Sequence, residues 1–180
     1  MTYPRVERMV VGGETYFPVM SGPGRWLNRR ELERLVVTPG EPGRARWLDL
    51  VILDQTRLDD GFAFGLDTVD PRTLVGVRNP LVLGEPTLLI GTVGEIRIAP
   101  PGAVAGVVGH SFLATARLFD SVLAEIAWRA IRDGVTDHIC CVLDPVSLPE
   151  PPIQYVRLVA RGEAHMPGAR VLGAREEPTT

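Results

Sequence analysis

Residues 112–143 contain two segments with strand-like patterns on either side of one amphipathic segment. Residues 112–118 alternate between apolar and polar and predict a half-buried strand, and His138–Leu143 predicts a buried strand that ends before Pro145. Between them, apolar residues recur at helical spacing and predict a helix over about residues 121–133. The apolar face of this helix is expected to comprise Val122, Leu123, Ile126, Ala127, Ala130 and Ile131.

Residues at the ends of this helix, and of a shorter one over about residues 29–36, fit the preferences of helix termini. Asp120 is predicted to be the N-cap of the longer helix, because its carboxylate accepts amide hydrogens of the first turn. Gly134 suits the position just beyond its C-terminus. Asn28 opens the shorter helix, and Glu31 completes a pattern close to the capping box.

The remaining patterned segments predict short strands separated by Pro- and Gly-rich turns. The fold class is therefore α+β, a mostly antiparallel β-sheet or barrel-like domain with one well-defined helix and one shorter helix. We expect a single domain over residues 1–175, with a loose polar tail over residues 176–180. The predicted strands are Val6–Val11 and Glu14–Met20, which form a hairpin, Ala45–Asp54, Thr87–Ala99, Ile153–Arg161 and a final short strand within Met166–Leu172. A turn is predicted at Asp59–Gly61, and short strands and turns are predicted over Phe62–Asn79.

Composition narrows the classes of function. The 180 residues are 45% hydrophobic with a formal net charge of −3 and no dense basic cluster, which argues against nucleic-acid binding. The N-terminus lacks the apolar segment of a signal peptide, and no apolar run is long enough to span a membrane. Two adjacent cysteines cannot build a disulfide framework, so we expect a protein that is not secreted.

Cysteines and histidines are the candidates for chemistry. Alternation places Cys140 and Cys141 on opposite faces of one strand, so at least one thiol is expected in the core. A reactive cysteine needs a basic partner, and His110 and His165 are the candidates to activate Cys140 across the fold. The spacing of the three histidines, which include His138, matches no zinc pattern, and we expect neither a metal nor a cofactor.

Trp128 is the residue of the longer helix that does not fit its apolar face. One interpretation is that the ring packs under a neighbouring loop. The other is a protein–protein contact, since aromatic side chains are enriched at interface cores. Trp128, with Arg129 and Arg132 beside it, is therefore the predicted interface.

Several segments together resemble the phage prohead (capsid maturation) proteases. The helix, the run Arg132–Gly134, the strand with Cys140 and the Pro-rich link follow one another as in that family. The resemblance implies that Cys140 takes the place of the catalytic serine, which follows the helix at a similar distance. Further similarity lies in Gly24–Leu27, Arg30–Arg34, Leu89–Val93 and Pro167–Val171.

One departure from the family decides what the resemblance implies. The family's catalytic histidine precedes the strand that matches Leu89–Val93, yet this chain has no histidine before His110. We therefore expect a non-enzymatic minor capsid or decoration-type protein, located in the virion or in the host cytoplasm during assembly. Its expected partner is the phage major capsid protein or further copies of itself, as a homo-oligomer or in a larger assembly. Two alternatives stay open: an active maturation protease using Cys140 with His110 or His165, and a binding domain unrelated to phage.

Overall fold

A computed structural model of the chain describes residues 9–18, 26–54, 79–83, 88–143, 153–164, 166 and 168–179. Within these residues, the chain forms ten β-strands, two α-helices and a short 3-10 helix, which confirms the predicted α+β, mostly β class. The elements are β1 (Met9–Val11), β2 (Glu14–Pro18), β3 (Trp26–Asn28), α1 (Arg29–Val37), β4 (Arg44–Asp54), β5 (Asn79–Leu83), β6 (Leu89–Ala99), β7 (Ser111–Leu118), α2 (Val122–Arg132), β8 (His138–Leu143), β9 (Ile153–Val159), the 3-10 helix (Arg161–Glu163) and β10 (Arg170–Pro178).

Seven of the described strands close into a barrel in the order β10-β4-β7-β6-β5-β9-β8, while β1, β2 and β3 form a separate small sheet. Neighbouring barrel strands run antiparallel, except that β5 and β9 are parallel. In the wall of β4, β7 and β6 the strands are paired over most of their length, for example from Asp54 opposite Ser111 to Trp47 opposite Arg117. Closure between β8 and β10 is much shorter, with Arg170 opposite His138 as the pair that joins them.

Strand alternation and α2 together fill the barrel. Leu48, Leu50 and Phe112 point inward and have no exposed surface. Because one face of α2 packs into the same core cluster, the helix closes one end of the barrel. Burial of each large aliphatic side chain stabilises the fold by about 1.5–3 kcal/mol. The residues that α2 buries are Leu123, Ala124, Ala127, Trp128, Ala130 and Ile131.

The N-cap of α2 corrects one prediction. Ser121, not Asp120, has the extended backbone of a cap, and its Oγ accepts the amide hydrogen of Ala124 at 3.2 Å. The loop between α1 and β4 fixes the position where α2 begins. Pro39 forms an antiparallel β-bridge with Ser121, and the Thr38 carbonyl accepts the amide hydrogen of Val122. Local sequence did not determine which of two adjacent cap-forming residues lies at the helix boundary.

At α1, by contrast, the predicted capping box is confirmed. The side chain of Asn28 accepts the amide hydrogen of Glu31, whose carboxylate accepts the amide hydrogen of Asn28 at 2.8 Å. The expected glycine beyond α2 is confirmed as well, since Gly134 has a φ of 71°. None of the described helices is long and apolar enough to cross a membrane.

The C-terminal residues differ from expectation. Strand β10 continues to Pro178, so residues 176–178 of the expected loose tail pair with β4. Arg46 lies opposite Glu176, and the Nε of Arg46 is 3.1 Å from the Oε1 of Glu176. This ion pair balances the negative charge of Glu176 near the end of β10. The turn predicted at Asp59–Gly61 and nearly all of the Phe62–Asn79 segment lie outside the described residues.

Candidate functional site

Strand β8 divides its side chains between the two faces of the barrel. Ile139 and Cys141 contact the central core cluster, whereas His138 and Cys140 point to the outer face. Although it faces outward, Cys140 is only 4% exposed, and His138 is buried to the same extent. The two cysteines therefore lie in different environments, as alternation predicts.

Cys141 lies on the inner face, where its thiol is held in the protonated form. Desolvation raises its pKa far above the ordinary value, and the neighbouring Cys140 raises it further. Because the thiolate is the nucleophilic form, a thiol in this position is unreactive at neutral pH.

Cys140 lies directly opposite Arg157 of β9, and the two side chains are in contact. The Arg157 Nη2 donates to the Cys140 Sγ across 3.7 Å. A guanidinium remains charged at every physiological pH, so it cannot take a proton from the thiol. Arg157 was not among the residues that sequence reasoning selected, because its position opposite Cys140 depends on the pairing of β8 with β9.

A second pair of side chains lies next to this contact. The Nδ1 of His138 is 2.7 Å from the Oδ1 of Asp137, a hydrogen bond that fixes the orientation of the ring. His138 and Cys140 are two residues apart on one face of β8, so strand geometry places their Cβ atoms about 7 Å apart. The adjacent Asp-His residues and the His-x-Cys spacing are sequence signals that could have indicated this arrangement.

Of the two histidines predicted to assist Cys140, His110 belongs to the described residues and His165 does not. His110 is exposed and immediately precedes β7, whose neighbours in the barrel are β4 and β6. Cys140 lies on β8, between β9 and β10, on a different wall of the barrel.

Trp128 packs inside the protein. The side chain is 6% exposed and belongs to the core cluster, with the guanidinium of Arg46 5.9 Å from the ring centroid. The buried face of α2 is rotated toward Ala124 and Trp128 relative to the predicted face, while Val122 and Ile126 are half-buried. The ring therefore packs within the protein, and the structure that covers it is the end of the barrel.

The three predicted interface residues nevertheless share one surface feature, an open cleft of about 490 Å³ between α2 and β10. Trp128 contributes to its lining, and Arg129 and Arg132 are exposed along it. We call it the α2–β10 cleft. It is lined by Arg46, Trp128, Arg129, Arg132, Asp133 and Glu176.

Charges within the α2–β10 cleft are unevenly compensated. Arg46 forms ion pairs with Glu176 at 3.1 Å and with Glu125 at 3.6 Å. Desolvation acts to raise the pKa of Glu176, but hydrogen bonds from Arg46 and Arg44 and their positive charges outweigh it and lower the pKa. Within the described part of the chain, Arg129 and Arg132 form no ion pair.

Neither a metal site nor a known relative points to a function. Among the described residues, no group of three or more histidine, cysteine, aspartate or glutamate side chains could hold a metal ion. No family model, no curated protein and no solved structure matches this chain.

Proposed function

We propose that this chain is a non-enzymatic structural component of a phage-like particle that binds the shell protein or further copies of itself. The observation that carries the proposal is the Cys140–Arg157 contact. In the resemblance to prohead proteases, Cys140 takes the nucleophile position, and the side chain directly opposite it is an arginine that cannot act as a general base. On this proposal the domain has kept the fold, has lost the chemistry and acts by binding.

Co-expression with the shell protein encoded nearest to this chain tests the proposal. We expect both chains to sediment together with assembled shells and to keep their full intact masses. The same result is expected for the Cys140→Ala/Cys141→Ala variant, because binding does not use the thiols. A wild-type protein that stays in the supernatant while shells sediment would contradict the proposal.

A second function, a cysteine protease that trims the shell protein, is favoured by one specific observation. The Asp137–His138 pair lies on the same outer face as Cys140, and an imidazole oriented by a carboxylate is the base that cysteine nucleophiles use. In this alternative His138, rather than His110 or His165, is the candidate base for Cys140. A change of side-chain rotamer would have to close the remaining distance.

Trimming and thiol reactivity separate the two functions. A protease predicts shortened shell protein that disappears in both Cys140→Ala and His138→Ala. It also predicts rapid alkylation of Cys140 by iodoacetamide at neutral pH. Our proposal instead predicts that intact shell protein persists and that Cys140 is alkylated no faster than Cys141 until the protein is unfolded, since Cys140 is buried and the raised pKa of Cys141 keeps its thiol protonated.

A further inference from the structure

Strand β10 pairs along one edge and leaves most of its second edge open within the described residues. Toward β4, pairing runs from Arg170 to Pro178. Toward β8, Arg170 lies opposite His138, and backbone hydrogen bonds run from Ile139 to the Ala169 carbonyl at 2.9 Å and from Val171 to the Asp137 carbonyl at 2.8 Å. Beyond this point the chain that precedes β8 turns away into α2, so the pairing cannot continue.

The open edge borders the α2–β10 cleft. Glu176 of β10 and Arg46 of β4 line the cleft from the barrel, and Arg129 and Arg132 line it from α2. An added strand lies about 4.8 Å from its neighbour, so it would occupy the space between β10 and α2. Leu172 is 44% exposed and Ala174 is also exposed, so the described residues leave this stretch accessible.

Charge indicates which side chains such a strand would carry. The carboxylate of Glu176 is already bound by Arg44 and Arg46, and Arg175 contacts both Asp49 and Glu177. The charges that remain in the cleft are Arg129 and Arg132 against the single carboxylate of Asp133. Positive charge is therefore in excess on the α2 side, which is complementary to carboxylates.

We propose that the open edge of β10 receives an extended, carboxylate-bearing segment of the shell protein. The segment adds a strand along residues 172–178, and its acidic side chains contact Arg129 and Arg132. Main-chain hydrogen bonds supply affinity in this mode of recognition, and side chains supply specificity. The inference rests on the proposed function and specifies the partner's chemistry and the surface that binds it.

Two measurements on the complex test this inference. Amide hydrogen exchange of the full chain, with and without shell protein, is expected to slow within residues 172–178 and around Arg129–Asp133. Charge reversal in Arg129→Glu/Arg132→Glu is expected to weaken co-sedimentation about ten-fold or more, since two attractive charge pairs become repulsive and a ten-fold change needs only about 1.4 kcal/mol in total. Added salt should weaken wild-type binding more than binding by this variant.

A matched variant controls for net charge. Arg30→Glu/Arg34→Glu changes two exposed arginines of α1 and produces the same net charge, so it is expected to bind as wild type does. Both variants should unfold at temperatures close to that of the wild type. If Arg129→Glu/Arg132→Glu unfolds earlier, Arg129→Ala/Arg132→Ala replaces it, which removes the charges without repelling the helix C-terminus.

The outcomes separate this inference from the function on which it rests. Wild-type protein that does not bind shells overturns both. Wild-type binding with no slower exchange in residues 172–178, or with equal binding by both charge-reversal variants, overturns the inference alone. Slower exchange in residues 172–178 that depends on protein concentration in the absence of shells would identify a second copy as the occupant, and would also overturn it.

Discussion

The wall of β4, β7 and β6 and the seam between β8 and β10 are parts of one barrel with opposite properties. In the wall, long antiparallel pairing is combined with inward side chains such as Leu50 and Phe112 that have no exposed surface. In the seam, pairing is limited to the region of Arg170 and His138, and charged side chains surround an open cleft. The difference indicates that the wall contributes most to stability, while the seam is the less tightly paired and more accessible region, where we propose that a partner binds.

The largest effect is expected from a cavity in the wall. Leu50→Ala removes a side chain with no exposed surface and should lower the free energy of unfolding by about 2–5 kcal/mol. Denaturant unfolding measures this loss. Val108→Ala is the control, because Val108 is 92% exposed and its truncation should leave the unfolding midpoint nearly unchanged. Equal effects of the two substitutions would mean that the wall is not the stable part.

The next largest loss of stability is expected from disturbing a close backbone contact between β6 and β7 in the same wall. A Cβ at Gly91 would overlap the Arg117 carbonyl oxygen and lie 3.1 Å from the Leu118 Cα. Gly91→Ala should therefore force β6 and β7 apart and cost about 1–3 kcal/mol in denaturant unfolding. Gly94→Ala on the same strand is the matched control, since nothing lies within 4 Å of the position that its methyl group would take. Two similar midpoints would exclude close packing at Gly91.

Loss of the N-cap of α2, the helix that lies beside the cleft, is expected to cause a smaller loss of stability. Ser121→Ala removes the acceptor of the Ala124 amide hydrogen and should cost about 1 kcal/mol. Asp120→Ala should cost little, because Asp120 is exposed and is not the cap. Thermal unfolding of the two variants distinguishes them. A larger loss for Asp120→Ala would restore the cap expected from the sequence.

The smallest effect is expected at the seam and depends on pH. Since the arginines lower the pKa of Glu176 in the folded state, its ionisation stabilises the fold at a pH above the ordinary pKa of a glutamate, and this contribution is lost as the pH falls through the lower folded value. Glu176→Gln should cost less than about 1 kcal/mol at pH 7, because the ion pairs are partly exposed. Urea unfolding at pH 7 and pH 3 should show the difference from wild type shrinking at the lower pH. A constant difference would exclude these ion pairs as its cause.

Much of the local structure was predictable from short-range patterns. The bounds of β8 agree with the predicted His138–Leu143, and the capping box at Asn28 and Glu31 is present. Both signals involve residues within a few positions of one another, so no distant contact is needed to interpret them. The rotation of α2 was not predictable, because Trp128 is buried by Arg46 and the barrel end, which are distant in sequence.

The candidate sites show the same division. Cys140, Arg129 and Arg132 were selected from the sequence for their chemistry and position, but their partners were not. Arg157 lies opposite Cys140 through the register of β8 and β9, and Glu176 lines the cleft because β10 extends to Pro178. Register and strand length depend on which strands pair with each other. Pairing between strands that are distant in the sequence does not follow from local residue patterns.

The sequence by itself determined the α+β class, most strands, both helices and the placement of the two cysteines on opposite faces of β8. These follow from periodicity and from capping, which act over a few residues. Only the tertiary structure decided that Ser121 caps α2, that Trp128 is buried and that Arg157 contacts Cys140. It alone shows the cleft beside the open edge of β10, because barrel closure brings together residues that are distant in sequence and leaves the seam between β8 and β10 incomplete.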